Sequence, residues 1–174
     1  MSMEITFELS DEDLDYFRSV MRIAVDSTNK LDDVTIIENA RKLVIQIRQS
    51  NAAEFIRERI GRVETLIGMV SDSSWKMEAQ DRPRVLEALA YFSEPADLIP
   101  DEIPGLGFLD DAIMIEIVCR DLKHEIRAYR DFCVFRSAEA QHMNQNGVEI
   151  ENSDWLEDRR KQLHSRMHRR HRKE

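Results

Sequence analysis

Residues 51–71, NAAEFIRERIGRVETLIGMVS, place Ile56, Ile60, Val63, Ile67 and Val70 at alternating steps of four and three. Such spacing keeps one apolar face in register along an α-helix for about two heptads and predicts a bundle seam. Asn51 stands where an N-cap is expected, because its side chain can accept a first-turn backbone N–H. The same period recurs on both sides. Val34, Ile37, Ala40, Val44 and Ile47 predict a helix over about 33–50, and Leu14, Phe17, Met21 and Val25 predict an earlier one. Ser10 opens that first helix, with Asp13 at the capping-box position and Leu9 and Leu14 at the staple positions.

Downstream, Asp81 is expected to cap a short helix with Pro83 in its first turn and Val85, Leu89 and Phe92 inward. A long helix then begins near Asp110, keeps Ile115, Val118, Leu122, Ile126, Tyr129 and Cys133 on one stripe, and extends to about residue 142. Cys119 and Cys133 share it, so their 14-residue separation at ~1.5 Å per residue puts them ~21 Å apart, beyond disulfide reach. Residues 4–9 alternate Ile5, Phe7 and Leu9 with Glu4, Thr6 and Glu8. They form either an extended arm on the helices or an edge that pairs with a second copy in a homodimer; the arm is preferred, since isolated strands are unstable.

Composition agrees with a helical fold. The chain has 174 residues, 42% of them hydrophobic and 34% charged, with only five Gly and four Pro. That is enough chain for one core without a disulfide or metal staple, and too few turn residues for an all-β fold. No apolar stretch approaches the ~20 residues of a membrane span, and the N-terminal Glu4 and Glu8 do not resemble a secretory signal. A cytoplasmic location is expected. Residues 159–174 hold eight of the 25 basic residues and one of the 34 acids, so the first 158 carry −16 and the tail +7.

The expected architecture is an all-α bundle of five to six helices over residues 1–143, with a Pro/Gly-rich loop packed between helices. Beyond the breaker cluster 144–147 lies a polar, basic C-terminal extension, residues 144–174. Trp155, Leu156, Leu163 and Met167 give this extension a thin apolar stripe, read as a marginal helix that docks at its start and frays at its end.

Three of the four prolines and two of the five glycines fall between residues 95 and 107. Pro95, Pro100 and Pro104 restrict the residues before them to extended geometry, so the segment is a stiff connector. Leu98, Ile99, Ile103, Leu106, Phe108 and Leu109 are expected to fold back between helices, with Gly105 and Gly107 supplying backbone freedom. The segment Pro95, Asp97 to Asp101, Ile103-Pro104, Gly105, Gly107 and Leu109-Asp110-Asp111 resembles the YkvA-like domain-of-unknown-function family over about residues 88–125. The resemblance implies a helical hairpin around the loop and no agreed activity; the flanking helices look like those of longer soluble bacterial members. Some members are membrane-associated, but Glu94, Glu102, Glu116 and Asp121 argue against an inserted hairpin here.

Asp97, Asp101, Asp110 and Asp111 are the candidate binding residues of this loop, either for a Mg²⁺- or Ca²⁺-type ion or, preferably, with Asp110 and Asp111 as caps of the following helix and Asp97 and Asp101 as acceptors of the loop's own N–H groups. Asp121 and His124 show one carboxylate-x-x-His pair, whereas di-iron bundles need two. Arg159, Arg160, Lys161, Arg166, Arg169, Arg170, Arg172 and Lys173 are the candidate nucleic-acid residues. His164, His168 and His171 have helical metal-ligand spacing, but among so many cations they read as part of a solvated tail. No nucleophile motif, phosphate loop or cofactor signature is present, so neither catalysis nor a cofactor is expected. The leading expectation is a non-enzymatic protein-interaction module; nucleic-acid or ribosome association through the tail comes second, and a metal-dependent activity at the acidic loop third.

Overall fold

The structure, a computed structural model, describes residues 6, 8–28, 31–92, 99, 103, 106–146 and 154–172, without the side chains of 24, 25, 27, 28, 142–146 and 154. Seven helices form all the regular structure among these residues: α1 (Asp11–Thr28), α2 (Asp33–Gln49), α3 (Glu54–Ser71), α4 (Arg82–Tyr91), α5 (Leu109–Asp121), α6 (Lys123–Asn146) and α7 (Asp154–His171). The all-α bundle is borne out. The long helix expected from Asp110 is two, because it breaks at Leu122, and the C-terminal segment, expected as a marginal helix, is helical from Asp154 to His171.

The capping box of α1 forms as its residues dictate: Ser10 N donates to Asp13 Oδ2 at 2.8 Å, and Asp13 N donates back to Ser10 Oγ at 3.2 Å. Asp32 caps α2 by accepting from Thr35 N at 2.8 Å. α3 occupies the centre, packed against α2, α4, α5 and α6. Its predicted seam is buried throughout, and Leu66 and Met69 widen it, as a helix surrounded by neighbours requires.

Several local expectations fail for identifiable reasons. Ile36 replaces Val34 on the inner face of α2, leaving Val34 62% exposed. α3 begins after Ala53, not Asn51. Asp81 precedes α4 but makes no cap, because its carboxylate is turned to His168 at 2.9 Å. The break at Leu122 contains neither Pro nor Gly; the Arg84 guanidinium donates to Asp121 O at 3.3 Å and to Glu125 Oε1 at 2.6 Å, holding both sides of the kink. A side chain competing for a helix carbonyl is a recognised cause of kinking. Residues 6 and 8–10 have no regular structure, and 4, 5 and 7 lie outside the described residues.

The α3–α4 connection is anchored by Asp72. Its carboxylate accepts from Ser74 N at 2.9 Å and Trp75 N at 3.3 Å, and also from Tyr129 Oη at 3.2 Å and Arg136 Nη1 at 2.7 Å on α6. Tyr129 reaches it across Gly68, where a Cβ would stand 3.0 Å from the phenol oxygen. These bonds turn Trp75 fully inward, against Tyr129 and Phe132 of α6 and stacked on His164 of α7 with ring centroids 4.2 Å apart.

The C-terminal segment thus differs from a solvated tail. α7 packs along α6 and buries Leu163, His164 and Met167. The docking continues to the end of the helix, where His171 Nε2 lies 3.4 Å from the fully buried Glu125.

Candidate docking groove

An apolar opening lies where α1, α3 and α5 diverge, with a cavity of about 440 Å³. Leu9, Leu14, Phe55, Ala112, Ile113 and Ile117 supply its apolar lining. Local sequence explains each wall. Leu9 and Leu14, at the staple positions on either side of the α1 start, both face the opening, and Phe55 lies on the half-exposed flank of α3 beside the buried seam. On α5, Ile113 and Ile117 are i and i+4 neighbours on one face.

The rim carries Arg18, Arg59 and Arg120 against a single acid, Glu116. Glu116 Oε2 takes Arg62 at 2.6 Å and Arg59 at 3.2 Å, and these contacts, Arg62 first, hold its carboxyl below the usual range. Arg59 also lies over the Phe55 ring, 5.7 Å from its centroid. Arg18 makes longer contacts with Asp15 at 3.3 Å and Asp121 at 3.5 Å. Exposed Arg120 has no ionic partner among the described residues. An acidic chain therefore presents a locally cationic, apolar groove, whose lining includes one already neutralised carboxylate and no nucleophile–base pair.

The sequence-derived candidates lie elsewhere. Asp110 and Asp111 are buried in the first turn of α5, and Asp110 Oδ2 accepts from Ile99 N at 3.1 Å, tying the loop to the helix. A loop-acceptor role, expected of Asp97 and Asp101, thus falls to Asp110, which is expected as a cap but is not one. The cap position is Phe108, buried and left-handed at φ 63°, so the turn that Gly107 was expected to make falls on a bulky residue. Ile99 is half-buried, while Ile103 and Leu106 are 39% and 51% exposed, contrary to a fully inserted loop. Asp97, Asp101 and Leu98 lie outside the described residues.

Of the basic residues, Arg159 covers the Phe135 ring at 5.2 Å, while Arg160 reaches Ser74 O at 3.4 Å and Glu157 at 3.5 Å. Lys161 pairs with Glu157 at 2.9 Å, and Arg170 is half-buried. Arg166, Arg169 and Arg172 remain exposed, and Lys173 lies outside the described residues. Cys119 and Cys133 are unpaired and half-buried, one on each side of the kink.

Residues 84–117 match the family described as "Protein of unknown function (DUF1232)". Over 42 residues the chain is 43% identical to a protein of Bacillus subtilis called "Uncharacterized membrane protein YkvA". That alignment covers 24% of this chain and 40% of the relative, so the chain spans about two fifths of the length of the curated protein it matches. The resemblance carried by the Pro/Gly-rich segment is thereby borne out, and the matched window contains most of α4, the loop and the α5 residues Ala112, Ile113 and Ile117 of the groove. No solved structure matches. Among the described residues, no helix is long and apolar enough to cross a membrane.

Proposed function

With residues 84–117 taken as a YkvA-like segment, we propose that this chain is a non-enzymatic protein-interaction module that works in the cytoplasm. Its groove between α1, α3 and α5 docks an apolar segment flanked by Asp or Glu. The observation that carries the reading is the charge reversal at the groove: Arg18, Arg59 and Arg120 surround apolar lining on a body of net −16. Opposite potentials guide and orient association, while burial of apolar side chains supplies the affinity. The two unpaired cysteines are in keeping with a reducing compartment.

A short-peptide display library selected against the whole protein tests this. Enriched ligands are expected to combine apolar residues with Asp or Glu and to bind the Ile113→Glu protein at least ~10-fold more weakly, since a charge would enter the apolar lining. Ligands indifferent to that substitution would remove the groove from consideration.

A second reading rests on Arg166, Arg169 and Arg172, which leave one exposed basic stripe along the end of α7 and just past it. It entails weak, sequence-independent nucleic-acid binding at low salt that fades by physiological salt, because counterions compete for phosphate. Replacing these three arginines by Gln is expected to abolish the binding, measured by salt-dependent anisotropy. Deletion of α7 is a poor test, since it also removes Leu163 and Met167 from the core. Tight binding that persists at ~0.2 M salt would place this reading above the groove.

A further inference from the structure

We propose that Glu78, Asp81, His164 and His168 form a binding site for a Zn²⁺-class cation that clamps α7 onto the α3–α4 connection. His164 and His168 stand at i and i+4 on α7, so their rings leave the same face of the helix. Glu78 and Asp81 come from the connection immediately before α4, whose fold Asp72 and Trp75 fix. Potential ligand atoms of Glu78, Asp81 and His168 all lie within 4.8 Å of one another.

Three separations bracket the spacing of a small tetrahedral ion, while His164, outside the trio whose atoms lie within 4.8 Å of one another, meets the site through Glu78. Bonds of about 2.0–2.1 Å to nitrogen and oxygen place neighbouring ligand atoms about 3.3 Å apart. Here Asp81 Oδ2 is 2.9 Å from His168 Nε2, Glu78 Oε2 is 3.8 Å from the same nitrogen, and Glu78 Oε1 is 3.8 Å from His164 Nδ1. Glu78 therefore faces one histidine with each oxygen. Two imidazoles and two carboxylates make a donor set favoured by zinc and its neighbours over Mg²⁺ or Ca²⁺.

His164 gives the independent observation. It is only 3% exposed, and its Nδ1 is buried without a hydrogen-bond partner. Its other nitrogen, Nε2, faces Trp75 O at 3.4 Å, an acceptor, so Nε2 carries the hydrogen in the neutral ring. The Nδ1 lone pair then points toward the Glu78 carboxylate, an arrangement satisfied by a cation between them. Burial, the dominant influence, pushes His164 below the ordinary imidazole range, in line with a neutral ring. The Trp75 carbonyl acts as the outer partner that fixes a ligating histidine's tautomer. Gln80 Nε2 now lies 3.1 Å from His168 Nε2 and 3.0 Å from Glu78 Oε2, and this exposed amide is what the ion would displace.

With four protein ligands the site is closed, so its role is to brace the fold. The test is Zn²⁺ titration of chelator-treated full-length protein by calorimetry, with Co²⁺ absorption as a geometric readout. One equivalent of Zn²⁺ is expected to bind and raise the melting temperature, and Co²⁺ is expected to show the intense visible bands of tetrahedral coordination. Glu78→Gln and His168→Ala, whose side chains are partly exposed and whose circular dichroism is expected to match the parent, should each weaken binding at least tenfold. No Zn²⁺ binding, or binding that both variants leave unchanged, would overturn the proposal.

Discussion

Trp75→Ala is expected to destabilise the protein by about 3–5 kcal/mol, the range for removing a large aromatic from a closed core. Trp75 is fully buried where the α3–α4 connection, α6 and α7 meet, and its ring touches Tyr129, Phe132 and His164. No neighbouring side chain can refill so large a space without leaving its own contacts. Denaturant unfolding provides the measurement. Trp75→Phe offers the control: it keeps an aromatic and removes an indole N–H that has no hydrogen-bond partner, so its loss should be about 1–2 kcal/mol. Equal, small losses for both variants would mean that α7 is not seated on Trp75.

Asp72→Ala is expected to cost about 2–3 kcal/mol, because it strands the Arg136 guanidinium, the Tyr129 hydroxyl and two backbone N–H groups at once. The lower end applies because the Arg136 side chain is 36% exposed and partly solvated. Acid unfolding provides a second readout. Burial alone would raise the Asp72 carboxyl, but Arg136 and the N–H groups of Ser74 and Trp75 outweigh it and hold the group below its ordinary 3.8. A carboxylate with a depressed folded-state pKa contributes stability above its unfolded value and loses it as pH falls through the folded one. Stability of the parent should therefore decline below about pH 4, and Asp72→Asn should flatten that acid limb. An unchanged limb in the variant would assign acid sensitivity to other carboxylates.

What the sequence made legible was whatever a single element determines. The four-and-three spacing in residues 56–70 located the central helix, and Ser10 with Asp13 located the start of α1, because both signals are completed within a few residues. Features joining distant segments were hidden. The kink at Leu122 depends on Arg84, which stands 37 residues before the Asp121 carbonyl it captures. In residues 159–174 the charge pattern masked the inward histidines, whose partners Trp75, Glu78 and Asp81 belong to another part of the chain. The acidic loop residues were visible because they are rare and clustered, yet Asp110 is occupied in holding Ile99. Periodicity showed that α1, α3 and α5 each had an apolar face; the space left where those faces diverge follows from how the helices cross, which no single helix encodes.

The docking claim is tested most directly by exchanging charge across the groove. A selected acidic peptide and its counterpart with Lys in place of each acid would be titrated by fluorescence anisotropy against the parent and against Arg18→Glu/Arg120→Glu. Arg120 is exposed and Arg18 half-buried at the rim, and neither belongs to the apolar core, so the fold should survive the change. The account predicts that the acidic peptide binds the variant at least ~10-fold more weakly, about 1.4 kcal/mol, while the Lys peptide gains affinity for it. Equal binding of the acidic peptide to parent and variant would contradict the account.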